Sequence, residues 1–104
     1  MSAGDFETAV GRLLGHVGHW ETGRWHAPAR AGGTRGAVVF ALVQRLADLA
    51  ADAEQSRHRP VPRLADTVLP DQLRVMADDL IAATPPAEVL TSVTAAVSAT
   101  HEAL

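Results

Sequence analysis

Hydrophobic residues recur at steps of three and four positions in four separate stretches of the chain. The first stretch runs from Ser2 to about His19 and reaches the first tryptophan. Its apolar stripe comprises Phe6, Ala9, Val10, Leu13, Leu14, Val17 and Trp20. This spacing places the side chains on one face of an α-helix. Ser2 and Asp5 have the spacing of a capping box, so the pattern predicts an amphipathic helix that begins at Ser2.

A second helix is predicted to begin near Thr34, a candidate N-cap, and to end at about Arg57. Its apolar stripe comprises Val39, Leu42, Val43, Leu46, Leu49, Ala50 and Ala53. Residues 57–63 then read Arg-His-Arg-Pro-Val-Pro-Arg. Because alternating prolines prevent a helix from continuing, this segment is predicted to be an extended connector.

Two more helices are predicted in the last third of the chain. The third begins around Leu69, with Pro70 at the first helical position, and ends before Thr84. Its apolar face comprises Leu73, Met76, Ala77, Leu80 and Ile81. Thr84 is a candidate cap for a fourth helix, whose first turn would contain Pro85 and Pro86. The apolar positions of this helix are Val89, Leu90, Val93, Ala96, Val97 and Leu104. The short link between the two helices predicts a tight corner or an antiparallel hairpin.

Residues 20–35 lack any helical or strand-like periodicity and contain four glycines and prolines. We interpret this segment as a loop that is long for a compact domain, and such loops are often functional. The predicted fold is therefore all-α. It is a small four-helix bundle with a long loop between helices 1 and 2, formed as a single domain over residues 1–104.

Composition narrows the possible classes of protein. The chain has 104 residues, of which 47% are hydrophobic, and it has no cysteine, so disulfides and Cys-ligated metals are excluded. It has no apolar run near the roughly 20 residues that a membrane helix needs, and no signal-peptide pattern at its start. We therefore expect a soluble, cytoplasmic protein that does not bind a membrane.

Charge is distributed unevenly along the chain. The net charge of −3 combines +1 over residues 1–36, −2 over residues 37–56, +3 over residues 57–63 and −5 over residues 64–104. Positive charge is thus confined to predicted connections, and the final helices would repel phosphates. We expect no binding of nucleic acid.

The sequence offers no strong catalytic or metal-binding pattern. His16 and His19 stand three residues apart, with His26 further on, but Glu21 would lie about 140° from His16 around a helix. No zinc-protease or di-iron spacing and no nucleophile elbow is present. We therefore predict no metal, no cofactor and no catalytic residues, and we consider an enzymatic function less favoured than a binding function.

The segment rich in tryptophan and arginine carries the densest indication of a binding site. The candidate residues are Trp20, Arg24, Trp25, His26, Arg30 and Arg35. Tryptophan and arginine dominate binding hot spots, so these residues predict a contact surface for an acidic partner. Alternatively, Trp20 ends the core stripe and Trp25 covers the end of the bundle. A small anionic ligand, or nucleic acid stacked on Trp25, is a third reading.

A second set of residues suggests an interface between helices of different molecules. The candidates are Gly11, Gly15, Gly18, Val93, Val97 and Leu104. The glycines form a face without side chains on the first helix, which either is a weak exposed face or allows close approach of another backbone. The fourth helix has few charges, so it is either an alanine-rich surface helix or is buried against a second copy.

These patterns favour a non-catalytic protein-interaction module or oligomeric helical bundle, in which the partner is a second copy of the chain, forming a homodimer, or another protein. The alternative is a small-ligand-binding or metal-binding bundle that uses the Trp/Arg/His-rich segment 16–35.

Overall fold

Five α-helices make up most of residues 3–104, the part of the chain that the computed structural model describes. They are α1 (Ala3–Val17), α2 (Thr22–His26), α3 (Arg35–Ala53), α4 (Leu69–Ala82) and α5 (Ala87–Ala103), with a 3-10 turn at Asp66–Val68. No strand occurs within these residues, so the all-α prediction is confirmed. The capping box proposed at Ser2 lies outside the described residues.

The hydrophobic core lies between two pairs of packed helices. α3 packs most extensively on α4, and α1 packs on α5, while α1 also contacts α4 and α3 contacts α5. The largest fully buried side chains of these four helices are Phe6, Val10, Leu13, Val17, Val39, Val43, Leu46, Leu69, Leu73, Leu80 and Val93. All of them except Leu69, which was predicted only as the start of the third helix, belong to the apolar stripes of the sequence. Periodicity thus identified most of the buried face of each long helix.

The predicted four-helix bundle with a long loop is not confirmed, because residues 20–35 contain the short helix α2. The backbone N–H groups of Arg24 and Trp25 donate to the carbonyl of Glu21, at 3.0 and 3.3 Å. The Trp25 side chain is fully buried. A single helical turn has no periodic pattern and is unstable alone, so this helix depends on the burial of its tryptophan.

The rest of this segment is held by backbone hydrogen bonds. Ala29 N–H donates to the carbonyl of Gly33 at 2.9 Å, across a turn in which Gly32 and Gly33 have φ angles of +105° and +69°. Such angles favour glycine. The turn brings Arg30 to the end of α5, where its N–H donates to the Ala103 carbonyl at 2.9 Å. A segment predicted as a loop therefore caps the last helix.

α3 begins as predicted but ends early. The Thr34 hydroxyl accepts a hydrogen bond from Ala37 N–H at 3.1 Å, which confirms Thr34 as the N-cap. The helix ends at Ala53 rather than Arg57. Gln55 adopts a φ of +57°, and Ser56 N–H donates to the Ala51 carbonyl at 2.8 Å. This left-handed residue turns the chain out of the helix before the prolines can end it.

The corner between α4 and α5 is as short as predicted, but its cap differs. Thr84 does not cap α5: its φ is +54° and its N–H donates to the Ile81 carbonyl at 3.1 Å, which closes α4. The N-cap of α5 is Pro86, and both prolines precede the helix instead of lying in its first turn. Pro70 lies in the first turn of α4, as predicted.

Gln44 fastens the extended connector to α3. Its amide nitrogen donates to Asp48 at 2.9 Å and to the Arg59 carbonyl at 3.0 Å, and its amide oxygen accepts from Val61 N–H at 2.7 Å. Val61 is 7% exposed. Because an amide side chain supplies both donors and an acceptor, one residue satisfies three groups and fixes residues 57–63 on the helix.

His58 in the same connector contacts two carboxylates of α3. Its Nε2 lies 2.6 Å from Asp52 Oδ1, and its Nδ1 lies 3.8 Å from Asp48 Oδ1. The hydrogen bond that His58 donates to the Asp52 carboxylate raises the pKa of His58 above its ordinary value of 6.5, and partial loss of solvent around the ring opposes this increase. The charges of both carboxylates add to the increase.

We expect this contact to make stability depend on pH. A raised histidine pKa stabilises the fold at pH values below 6.5, and the effect is lost as pH rises through the folded-state pKa. Thermal melting of the wild type and of His58→Gln across this range should therefore show an advantage for the wild type that shrinks at high pH. NMR titration should return the pKa of His58 to near 6.5 in Asp52→Asn. An unchanged pKa in that variant would contradict the contact.

Asp66 closes the start of α3 from the side. Its carboxylate, 10% exposed, lies 2.6 Å from Arg63 Nη2 and 3.4 Å from His26 Nε2. A Cβ atom added to Gly36 would lie 2.6 to 2.7 Å from the carboxylate atoms. Glycine is thus needed for this close approach, and the negative charge lies beside a helix N-terminus, where it is stabilising.

Two glycine substitutions should have opposite effects on stability. Gly36→Ala should lower the free energy of unfolding by about 1–3 kcal/mol, because its methyl group collides with a carboxylate held by Arg63 and His26. Gly15→Ala has open space around the added Cβ and should raise it by up to about 1 kcal/mol through helix propensity. Urea denaturation measures both. Equal effects would mean that Asp66 moves freely.

Candidate functional site

The two tryptophans form the centre of an aromatic and basic cluster. Trp20 is 6% exposed and Trp25 is fully buried. Their ring centroids are 5.1 Å apart with an edge-to-face angle of 70°, and the His16 ring meets Trp20 edge-on at 5.3 Å. Burial favours the reading in which Trp20 ends the core stripe and Trp25 covers the end of the bundle. The Trp25 ring is not available as a platform for a base.

Two guanidinium groups lie over the Trp20 ring. The central carbon of Arg24 is 5.1 Å from the ring centroid and that of Arg35 is 5.2 Å from it. Arg35 Nη1 also lies 3.4 Å from the Arg24 carbonyl oxygen, to which it donates. Cation–π contacts of this kind position an arginine while its charge and its remaining N–H groups stay available.

His16 and His101 join α1 to α5 at the same end of the molecule. His16 Nδ1 and His101 Nε2 are 2.8 Å apart, so the N–H of one ring donates a hydrogen bond to the nitrogen of the other. Partial burial lowers the pKa of His16 below 6.5, and the charges of His101, Arg24, Arg35 and His19 lower it further. The charged groups that act on His16 are therefore positive.

Four arginines at this end of the molecule have no carboxylate partner within residues 3–104. The ion pairs among the described residues involve Arg63, Arg74, His26 and His58. The unpaired group comprises Arg12, Arg24, Arg30 and Arg35, which we call the arginine end. Arg45, Arg57 and Arg59 lie outside this end and also have no carboxylate partner among the described residues. The arginine end is distinguished by the gathering of four such charges in a protein whose net charge is −3.

A polar groove of about 620 Å³ between α1 and α5 adjoins the arginine end. Arg12 and Arg30 line it, together with Asp5 and Glu102, and the two paired histidines of α1 and α5 lie in its wall. Its lining carries both signs of charge. The groove and the Trp20 cluster meet at His16, which belongs to both.

The structure does not bring the candidate metal ligands of the sequence together. His16 contacts His101, and His26 lies beside Asp66. Within the part of the chain that the structure describes, no group of three or more His, Cys, Asp or Glu side chains is arranged to hold a metal ion. His26 is also turned towards the 3-10 turn, so it separates from the other predicted binding residues.

The predicted interface residues lie in different environments. Val93 and Val97 are fully buried in the core of the chain itself, so they present no surface to a second copy. Leu104 is half-buried. Gly18 N–H donates to the Leu14 carbonyl at 2.8 Å, and an added Cβ would lie 2.8 Å from that same oxygen. This glycine therefore serves to end α1.

Gly11 and Gly15 remain exposed, and no atom of the described residues lies within 4 Å of a Cβ added to either glycine. The face of α1 without side chains is therefore not used for close helix packing within the chain.

His101 belongs to the site but was not among the residues predicted from the sequence. It is 85 residues from His16 in the sequence, and no short motif connects the two histidines. Only its position on the helix indicated a contact with the rest of the protein. It follows buried Val97 by four residues and therefore lies on the inward side of α5. Contact with His16 required the packing of the first helix on the last.

Comparison with known proteins finds no family model that matches the chain, and neither a curated protein nor a solved structure with significant similarity to it. No helix within residues 3–104 has the length and apolarity needed to cross a membrane.

The burial of Trp25 predicts a loss of stability on its removal. Trp25→Ala should lower the free energy of unfolding by about 3–5 kcal/mol, because it leaves a large cavity under α2. Arg24→Ala, an exposed neighbour in the same helix, is the control and should cost less than about 1 kcal/mol. Chemical denaturation measures both. Equal small losses would show that Trp25 is not a core residue in solution.

Proposed function

We propose that this protein is a non-catalytic interaction module whose arginine end binds an acidic surface of another protein molecule, with a second copy of this chain as the first candidate. The observation that carries the proposal is the gathering of Arg12, Arg24, Arg30 and Arg35 without a carboxylate partner among the described residues. Carboxylates on a partner would form ion pairs with these arginines on binding.

The stacking of Arg24 and Arg35 on Trp20 supports this function. Arginine and tryptophan are the residue types that contribute most at binding hot spots. An arginine already positioned by a ring loses less conformational freedom when it binds a carboxylate. The arginine end is thus prepared for a planar, acidic group before a partner arrives.

The chain itself carries an acidic surface that matches the arginine end. On α4, Asp71, Val75, Asp78 and Asp79 recur at helical spacing on the exposed side. Asp78 already pairs with Arg74 at 2.8 Å, but Val75 is 51% exposed beside it. This acidic face offers carboxylates to the guanidinium groups of the arginine end, whereas the two tryptophans are buried and offer Val75 no contact. A homodimer related by two-fold symmetry would form this contact twice.

Charge reversal tests the proposal. Sedimentation equilibrium over a wide range of protein concentration should show self-association at low salt that weakens at high salt, because salt screens exposed charges. Arg24→Glu with Arg30→Glu should abolish it. Arg57→Glu with Arg59→Glu makes the same change of net charge in the connector, and should leave it in place.

If the wild type stays monomeric, the second copy is not the partner. An oligoglutamate peptide is then titrated into the protein while tryptophan fluorescence is followed. Binding of the peptide that is lost in Arg24→Glu/Arg30→Glu supports an acidic partner other than this chain. Neither self-association nor peptide binding would overturn the proposed function.

A further inference from the structure

We propose that Arg24, Arg35 and His16, arranged around the Trp20 indole, form a binding site for a single phosphate or carboxylate group. The inference rests on the proposed function, because it names the point within the arginine end at which an acidic group is held. It also specifies the ligand by its chemistry: a compact anion with several acceptor oxygens and no donors.

Arg24 and Arg35 are both positioned by the Trp20 ring. Both guanidinium carbons lie just over 5 Å from the centroid of one ring, at 5.1 and 5.2 Å. Arg35 is also tied to the Arg24 backbone through its Nη1. Two planar cations anchored on one ring present N–H groups that match the oxygens of a phosphate or carboxylate. Little side-chain ordering is then left for the ligand to impose.

Hydrogen-bond donors outnumber acceptors around the Trp20 ring. Trp20 Nε1 and Arg35 Nε are buried and have no hydrogen-bond partner among the described residues. Buried polar groups in folded proteins are nearly always satisfied. A ligand that only accepts hydrogen bonds corrects this imbalance, whereas a cation or a donor would not.

The local charge around the site is positive. Arg35 occupies the first position of α3, a helix with no acidic residue in its first turn, so its positive charge adds to the positive end of the helix dipole. Glu21 lies in the same shallow surface pocket as Arg24 but forms no ion pair with it. Asp66, the other acid near this helix end, is bound to Arg63 and His26.

Protonation of His16 is expected to be coupled to binding of the anion. The charges that lower the pKa of His16 are those of His101, Arg24, Arg35 and His19. An anion seated among them would offset their effect and raise the pKa of His16. Binding of the anion and protonation of this ring should therefore favour one another.

The test uses the intact protein with inorganic phosphate and with acetate, each against sodium chloride of equal ionic strength. Both tryptophans of the chain lie in this cluster, so intrinsic fluorescence reports on this end alone. We expect a saturable fluorescence change and an upward shift of the pKa of His16 by NMR. Arg24→Gln, at an exposed position, should weaken binding about tenfold.

Further variants keep the result interpretable. Arg35→Gln should weaken binding to a similar extent, and if it fails to fold, Arg24→Gln alone decides. Arg57→Gln removes an unpaired arginine in the connector and should bind as the wild type does. A response no larger than that to sodium chloride, or equal binding by Arg24→Gln, would overturn the site.

The two probes also identify the source of the anion. Preference for phosphate supports a phosphorylated ligand, and equal response to acetate supports an acidic side chain. Phosphate binding without oligoglutamate binding or self-association would retain the site and overturn the proposed function. Oligoglutamate binding that is unaffected by Arg24→Gln and Arg35→Gln would retain the proposed function and overturn the site.

Discussion

Burial of the Trp20 and Trp25 indoles, edge against face, is the contact on which the rest of this structure depends. Trp25 belongs to a helix of five residues that has too few hydrogen bonds to be stable alone. Its burial holds that helix against the start of α3, and this places Arg24 and Arg35 over the same ring. The candidate site is thus a direct consequence of core packing, with its arginines set by the same ring that closes the end of the bundle.

The protein uses its carboxylates unevenly. Asp66 pairs with His26 of α2 and with Arg63 of the connector, and Asp52 with Asp48 secures the connector through His58. These acids neutralise positive charge where a long connection must be held to the bundle. The arginine end receives no such partner within residues 3–104. Arg45, Arg57 and Arg59 also have no carboxylate partner among the described residues. At the arginine end, however, two unpaired arginines stack on one ring, and positive charge positioned in this way is expected of a binding surface.

An interface based on surplus apolar residues finds less support than one based on charge. Among the described residues, most large hydrophobic side chains are buried or partly buried within the single chain, and the exposed ones are Leu64 at 52% and Val75 at 51%. Val93 and Val97, predicted to contact a second copy, complete the core instead. The four long helices bury their own apolar stripes, so the proposed contact depends on arginines and on the acidic face of α4.

Periodicity by itself determined the four long helices, their buried faces and the Thr34 cap, because a repeat of three and four residues and a capping hydroxyl are local properties of the chain. Only the tertiary structure decided the rest. A one-turn helix has no repeat, and it forms because Trp25 is buried. Gln55 and Thr84 end helices through left-handed backbone conformations that their residue types do not signal. His16 meets His101 only when the first helix packs on the last, since contacts between distant segments depend on packing that a local pattern does not encode.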